Sequence, residues 1–343
     1  MIKPKKLSPG DTVAIVSLSS GLAGEDTIRW RTEQGIKRLE EVFDLKVKVM
    51  PHALKGGDYI YEHPEKRAED LNEALRDPDI KAIICTIGGN ETIRIQPYVD
   101  FDALKDNPKI FTGYSDTTAN HFMFYNNGIS TSYGPALLTD FAENIEMDDY
   151  TIDSIRTTWF KSDTIGEVKP SETIRRFGLK WDEKNRDIER ESFTNPGYES
   201  ISGRGIVRGH LIGGCFELFG SMRGTGLFPD TAAFDNAILF LETSEAHITP
   251  DFFEDYLRAL SMMGIFDKVN GIIVGRPQDG VHYEDYKKVW RQILKEAGRE
   301  DLPVLYNMNF GHNEPKFIVP YGLQAEVDTE NLTFRILENA VTD

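Results

Sequence analysis

The chain has 343 residues, 39 of them basic and 56 acidic, for a formal charge of −17 at pH 7. At roughly 150 residues per domain this length predicts about two domains, and a 40% apolar share with 29 glycines excludes intrinsic disorder and allows a sizeable core. Such an acidic surface repels phosphate backbones, which excludes nucleic acid polymers as a general partner.

In chain order, Met1–Leu7 begins basic, but Ser8-Pro9-Gly10-Asp11 stands where a secretory leader needs its apolar run. Short β-branched runs follow at Thr12–Ser17, Lys46–Met50, Ala82–Ile87, Lys109–Thr112 and Ile129–Ser132. Between them lie helical patterns at Thr27–Phe43, Pro64–Arg76 and Thr117–Tyr125. Near-continuous apolar strands separated by helices predict a doubly wound parallel α/β sheet over residues 1–160, with its ligand site at the carboxyl ends of the strands. Two of those ends carry chemistry. Ile83–Ile87 runs into Gly88-Gly89-Asn90, and a glycine pair there lets backbone N–H groups approach a ligand; an ordinary tight turn is the competing reading. Lys109–Thr112 runs through Gly113-Tyr114 into Ser115-Asp116-Thr117-Thr118, which places Ser115 at the sheet rim beside the first N–H groups of a helix. A serine there is a nucleophile only with a base to take its proton. A plain helix cap by Ser115 or Asp116 is the alternative.

Residues 161–202 change character. The stretch is polar, broken by Pro170 and Pro196, and reads as a linker or a functional loop. It carries Phe177 and Trp181 beside Arg175, Arg176 and Lys180. Residues 203–343 predict a second, smaller α/β or α+β domain, with strands at Ala237–Leu241, Gly271–Val274 and Leu332–Leu337 and helices at Pro250–Met263 and Tyr283–Ala297. Its first strand ends in Glu242, a carboxylate directly after five apolar residues, which is partly buried and needs a partner. The loop Asn309–Pro315 holds one histidine, His312. The order Ser…Glu…His is one used by hydrolytic triads; a structural salt bridge at Glu242 and a solvated His312 remain alternatives.

Other chemistries lack their signatures. There is no GxGxxG, no P-loop, no HExxH and no GxSxG. The two cysteines, Cys85 and Cys215, make neither a CxxC knuckle nor a disulfide framework. No run approaches the length of a membrane span, so a cytoplasmic protein is expected.

These segments together resemble the LD-carboxypeptidase family of serine peptidases. The likeness starts at Leu7-Ser8-Pro9-Gly10-Asp11-Thr12-Val13-Ala14-Ile15-Val16 and continues through Gly88-Gly89 and Gly113-Tyr114-Ser115-Asp116. It ends with Gly209-His210-Leu211-Ile212-Gly213-Gly214, Leu239-Phe240-Leu241-Glu242 and Gly311-His312. The resemblance implies a Ser115–His312–Glu242 triad between two domains, an oxyanion hole from the backbone of Gly89 and Asp116, no metal or cofactor, and a homodimer. The family has at least two branches. One trims terminal D-alanine from murein tetrapeptide. The other, the microcin C self-immunity branch, cuts the amide between a peptide or aminoacyl group and a modified nucleotide.

The length of residues 161–202 is similar to the immunity branch, and Gly88-Gly89-Asn90-Glu91 departs from the Gly-Gly-Tyr-Gly of wall-recycling members. This likeness implies substrate contacts at Gly88 and Asn90 and stacking of Phe177 and Trp181 on a nucleobase, with the neighbouring cations facing phosphate-like charge. The expected function is a serine amidase acting on a small peptide or peptidyl-nucleotide. LD-carboxypeptidase on murein tetrapeptide is the second reading, and a non-catalytic small-molecule binding module the third.

Overall fold

The inner β-branched runs of the N-terminal half bury both of their faces, which makes them strands, while Lys46–Val49 is an exposed edge. In the computed structural model, which describes residues 1–343, these runs form β1 (Thr12–Val16), β2 (Lys46–Val49), β3 (Ile80–Cys85), β4 (Ile110–Gly113) and β5 (Ser132–Tyr133). They pair in parallel in the order β5-β4-β3-β1-β2. Successive side chains point to opposite faces. Val13, Ile15, Ala82, Ile84 and Ile110 pack with Leu39, Phe43 and Trp159 on one face. Ala14, Val16, Ile83, Cys85 and Phe111 pack with Leu71 and Phe122 on the other. The fifth run is displaced from its expected place: only Ser132–Tyr133 pairs with β4, while Ile129 bridges to Ile2. The start of the chain takes the backbone partners at Gly128 and Ser130 that a longer strand would have used.

Residues 161–202 are built into the second half. They form β6 (Gly166–Glu167), β7 (Thr173–Arg175), β8 (Ser192–Thr194) and β9 (Glu199–Ser202). The β7–β8 pair is a separate antiparallel hairpin, whereas β6 and β9 close the two edges of the second sheet. That sheet takes its interior from β10 (Ile206–Cys215), β11 (Ile238–Glu242), β12 (Gly271–Gly275) and β13 (Val304–Met308), all parallel. Next along the chain, β14 (Val319–Pro320) returns to the first sheet and pairs antiparallel with β5. β15 (Gln324–Asp328) and β16 (Thr333–Ile336) then complete the second, whose order is β6-β16-β15-β10-β11-β12-β13-β9. The helices Pro250–Met262 and Tyr283–Glu296 pack on each other, with the Phe253 and Tyr286 rings 4.3 Å apart.

The register sets the site. At the carboxyl edge of the first sheet Gly113 lies opposite Tyr133, and at that of the second Cys215 lies opposite Glu242. The Thr118 hydroxyl joins the two edges: its Oγ1 donates to the Ser115 carbonyl (2.7 Å) and accepts the Cys215 N–H (3.0 Å).

Candidate active site

Leaving β4, the chain turns sharply. Ser115 adopts φ 62°, a left-handed conformation that costs a non-glycine residue energy and persists only where its surroundings enforce it. The helix Thr118–Asn126 follows almost at once. Two hydrogen bonds hold the turn, one from Ser115 N–H to Tyr133 Oη (3.1 Å) and one from Thr118 to the Ser115 carbonyl. Gly88 presses against it so closely that an added Cβ would lie 2.7 Å from Ser115 Cβ and 3.0 Å from its Oγ, so only glycine fits. The same contact leaves the Asp116 amide facing Gly88, 3.2 Å from that point. The Gly89 N–H engages no protein acceptor. The Asp116 side chain is buried and knots three loops: its Oδ2 accepts the Thr92 N–H (2.8 Å) and the Ser19 hydroxyl. Buried Arg67 adds ties from Nη1 to the carbonyls of Leu18 (3.1 Å), Ser19 (3.3 Å) and Glu91 (3.3 Å).

Glu242 ends β11 fully buried, and its carboxylate is met by three donors. Tyr133 Oη donates to Oε1 (2.5 Å), while the His312 backbone N–H (3.2 Å) and Nδ1–H (2.7 Å) both donate to Oε2. Gly311 makes this approach possible: at φ 81° it lies directly over the carboxylate, where any Cβ would collide with Glu242. With Nδ1 held by Glu242, the other ring nitrogen, Nε2, lies 2.9 Å from Glu245 Oε2. Burial alone would lower the pKa of His312, but the charges and hydrogen bonds of Glu242 and Glu245 outweigh it and push the imidazole up to about 10. Glu245 is largely exposed, so water screens its share more than that of Glu242. The Tyr114 ring packs edge-on against the imidazole at 4.9 Å.

Ser115 and His312 line one cavity of about 240 Å³, together with Gly88, Gly89, Phe177 and Trp181. The two aromatic rings lie 6.4 Å apart, tilted by 54°. Trp181 also packs under the Arg31 guanidinium, 4.5 Å away. Asn90 is exposed and does not line the cavity. Two of the three cations expected to face the ligand are engaged elsewhere, and the third, Lys180, does not line the cavity. Arg175 pairs with Asp148 (2.8 Å) and Glu189 (3.4 Å), and Arg176 with Glu191 (3.2 Å), because the hairpin sets carboxylates within reach of each. No lysine or arginine lines the cavity.

Cys215, Glu242 and His312 hold ligand-type atoms within 4.8 Å of one another. Burial pushes the Cys215 thiol well above its ordinary value, and its S–H donates to Glu217 (3.3 Å). The Cys215 thiol is thus turned to Glu217, while His312 Nδ1 is engaged by Glu242. Three features lay outside the sequence reading. Tyr133 gave no signal, since its role depends on a partner in the other sheet. Glu245 sits three residues beyond Glu242 and was visible only as a second carboxylate. The third is a buried ion network behind His312: Lys316 Nζ meets Asp140 (2.6 Å) and Glu314 (3.2 Å), and Arg190 meets Glu143 and, at 3.4 Å, Glu314.

A serine on a strained turn of one α/β sheet shares a cavity with a histidine held by a carboxylate of a second sheet, and that arrangement has the build of a hydrolase. Residues 13–134 match the LD-carboxypeptidase N-terminal domain and residues 208–327 its C-terminal domain. The chain belongs to the LD-carboxypeptidase family. It is 29% identical to the microcin C7 self-immunity protein MccF of Escherichia coli, over 97% of this chain and 94% of that protein. It is also 29% identical to the "Probable murein peptide carboxypeptidase" of Bacillus subtilis, over 99% and 96%. Among solved structures, an MccF-like protein from Streptococcus pneumoniae in complex with AMP superposes with a TM-score of 0.88 at 36% identity, covering 95% of this chain and 98% of that one. MccF in complex with aspartyl sulfamoyl adenosine gives 0.87 at 27% identity, with both chains fully covered. No helix here is long and apolar enough to cross a membrane.

Proposed function

We propose that this chain is a serine amidase of the microcin C self-immunity type, cleaving the amide that joins a peptide or aminoacyl group to a modified nucleotide. The observation that carries this reading is the shared cavity: Phe177 and Trp181 line the same space as Ser115 and His312. Aromatic faces hold a base by stacking, worth about 1–3 kcal/mol per base. That relatives are solved with AMP and with an aminoacyl sulfamoyl nucleoside supports the same reading.

In this mechanism Ser115 Oγ attacks the carbonyl carbon as His312 Nε2 takes its proton. Glu242 holds Nδ1–H, fixing the ring and balancing the imidazolium. The oxyanion is met by the N–H groups of Gly89 and Asp116. His312 then gives the proton to the leaving nitrogen, and water repeats the sequence on the acyl-enzyme to release acid and serine. Each step needs Nε2, so Glu245 must leave it.

The test is a paired assay on an aminoacyl sulfamoyl adenosine and on murein tetrapeptide. Wild type is expected to prefer the nucleotide, and Ser115→Ala to abolish turnover while leaving nucleotide binding nearly intact. Near-wild-type turnover in the variant would overturn the nucleophile. Preference for the tetrapeptide would replace the substrate with that of the murein carboxypeptidase branch, to which the chain is equally identical. The homodimer implied by the family resemblance and the cytoplasmic location expected from the sequence belong to the same proposal, and sedimentation at micromolar concentration tests the first.

A further inference from the structure

The nitrogen that must take the serine proton is already engaged. His312 Nε2 lies 2.9 Å from Glu245 Oε2, on a side chain 62% exposed at the cavity wall. Glu245 has His312 as its one ion-pair partner. The other carboxylate of the lining, Glu314, differs: it is buried and neutralised by Lys316 and Arg190. Because no lysine or arginine lines the cavity, a Glu245 that lets go of His312 meets no permanent cation on the cavity wall.

We propose that Glu245 receives a positively charged amine of the substrate, and that the exchange draws its carboxylate off His312 and frees Nε2 to act as base. The proposal rests on the amidase reading above and adds the substrate class: a molecule carrying an ammonium beside the scissile amide, either the α-ammonium of the aminoacyl group or one on its side chain. One ion pair replaces another, so the desolvation cost of the exchange is small. The imidazole is faced by Glu242 from β11, by Glu245 from the loop after it, by Cys215 from β10, by Tyr114 from the serine turn and by Glu314 from its own loop. Glu242 is pinned by three donors and Glu314 by two cations. Glu245 alone is exposed and able to change partner. Its hold helps keep the imidazole charged, a form that accepts no proton.

The experiment uses three aminoacyl sulfamoyl adenosines: a norleucyl compound with a free α-amine, its N-acetyl derivative, and the N-acetyl lysyl analogue. Affinities are measured on Ser115→Ala, with and without Glu245→Gln. One ammonium-bearing ligand is expected to bind about tenfold or more tightly than the neutral one, the size of a charge-assisted hydrogen bond. The arm that gains identifies which amine is read, and Glu245→Gln should erase the gain. In the enzyme with Ser115 intact, Glu245→Gln should lower kcat/KM on that ligand and move the acid limb on the neutral ligand to lower pH. No preference between charged and neutral ligands, or an equal loss on both, overturns the proposal. A binding preference without hydrolysis of any ligand would count against the amidase reading alone. Titration of the His312 ring by nitrogen-15 NMR reads the latch independently of turnover. An unchanged imidazole pKa in Glu245→Gln overturns it.

Discussion

Tyr133 serves two parts of the site with one hydroxyl, accepting the Ser115 N–H and donating to Glu242 Oε1. Tyr133→Phe leaves both groups buried without that partner, a loss of about 1–3 kcal/mol for each unsatisfied group. Since Tyr133 does not line the cavity, kcat is expected to fall while KM changes little; a rise in KM alone would show that the ring shapes substrate binding instead. In the proposed mechanism His312 sets the pH dependence. Its imidazole is raised from 6.5 to about 10, so it stays protonated through neutrality and becomes a base only as pH rises. Activity should therefore climb with pH, its midpoint above 6.5 and below about 10. Stability from the pair runs the other way: full below the unfolded value near 6.5, it is lost as pH rises through about 10. Rate and thermal midpoint measured over one pH series check both signs, and a rate flat across that range would remove His312 as the base.

At the scale of elements, the β7–β8 hairpin and the turns between its strands bring two aromatics to the cavity. Trp181→Ala is expected to weaken binding of a nucleotide-bearing ligand by about 1–3 kcal/mol, roughly 5- to 150-fold, and to leave tetrapeptide cleavage nearly unchanged. Equal losses on both would make the hairpin a general cover, its Trp181 serving chiefly to pack against Arg31. The hairpin also shows why parts of the chain were legible and others not. The turn at Ser115 and the end of β11 stood out because apolar runs stop abruptly at polar residues, which is where a parallel sheet presents side chains to a ligand. Within β10, Gly209, Gly213 and Gly214 interrupt the apolar pattern and hid a ten-residue strand. Strands of two to four residues between 161 and 202 are too short to show any period. Arg175 and Arg176 were read as facing the ligand, yet a long cation pairs with the nearest carboxylate, and only the folded hairpin shows which that is.

Across the whole molecule, buried charge ties the hairpin segment to both sheets. Arg190, after the aromatic turn, bonds Glu143 at the end of the first half and Glu314 beside His312. Burial would raise the Glu314 carboxyl, but Lys316 and Arg190 hold it well below the usual carboxylate range. Arg190→Met takes the ion-pair partner from Glu143 and leaves Glu314 with Lys316 alone, and should cost about 3–5 kcal/mol, read as a lower denaturant midpoint. A change under about 1 kcal/mol would class the contact with ordinary surface pairs. The return of β14 to the first sheet has a consequence for how the protein is made. Ser130 bonds to Tyr321, 191 positions later, and Tyr133 finds its strand partner at Val319. A ribosome releasing the chain from its N-terminus therefore holds an incomplete sheet, its edge open at Tyr133, until Val319 has emerged. Chaperones have that open edge to cover. The same stretch brings His312, so a nascent chain stopped before it lacks the edge strand and the proposed base together.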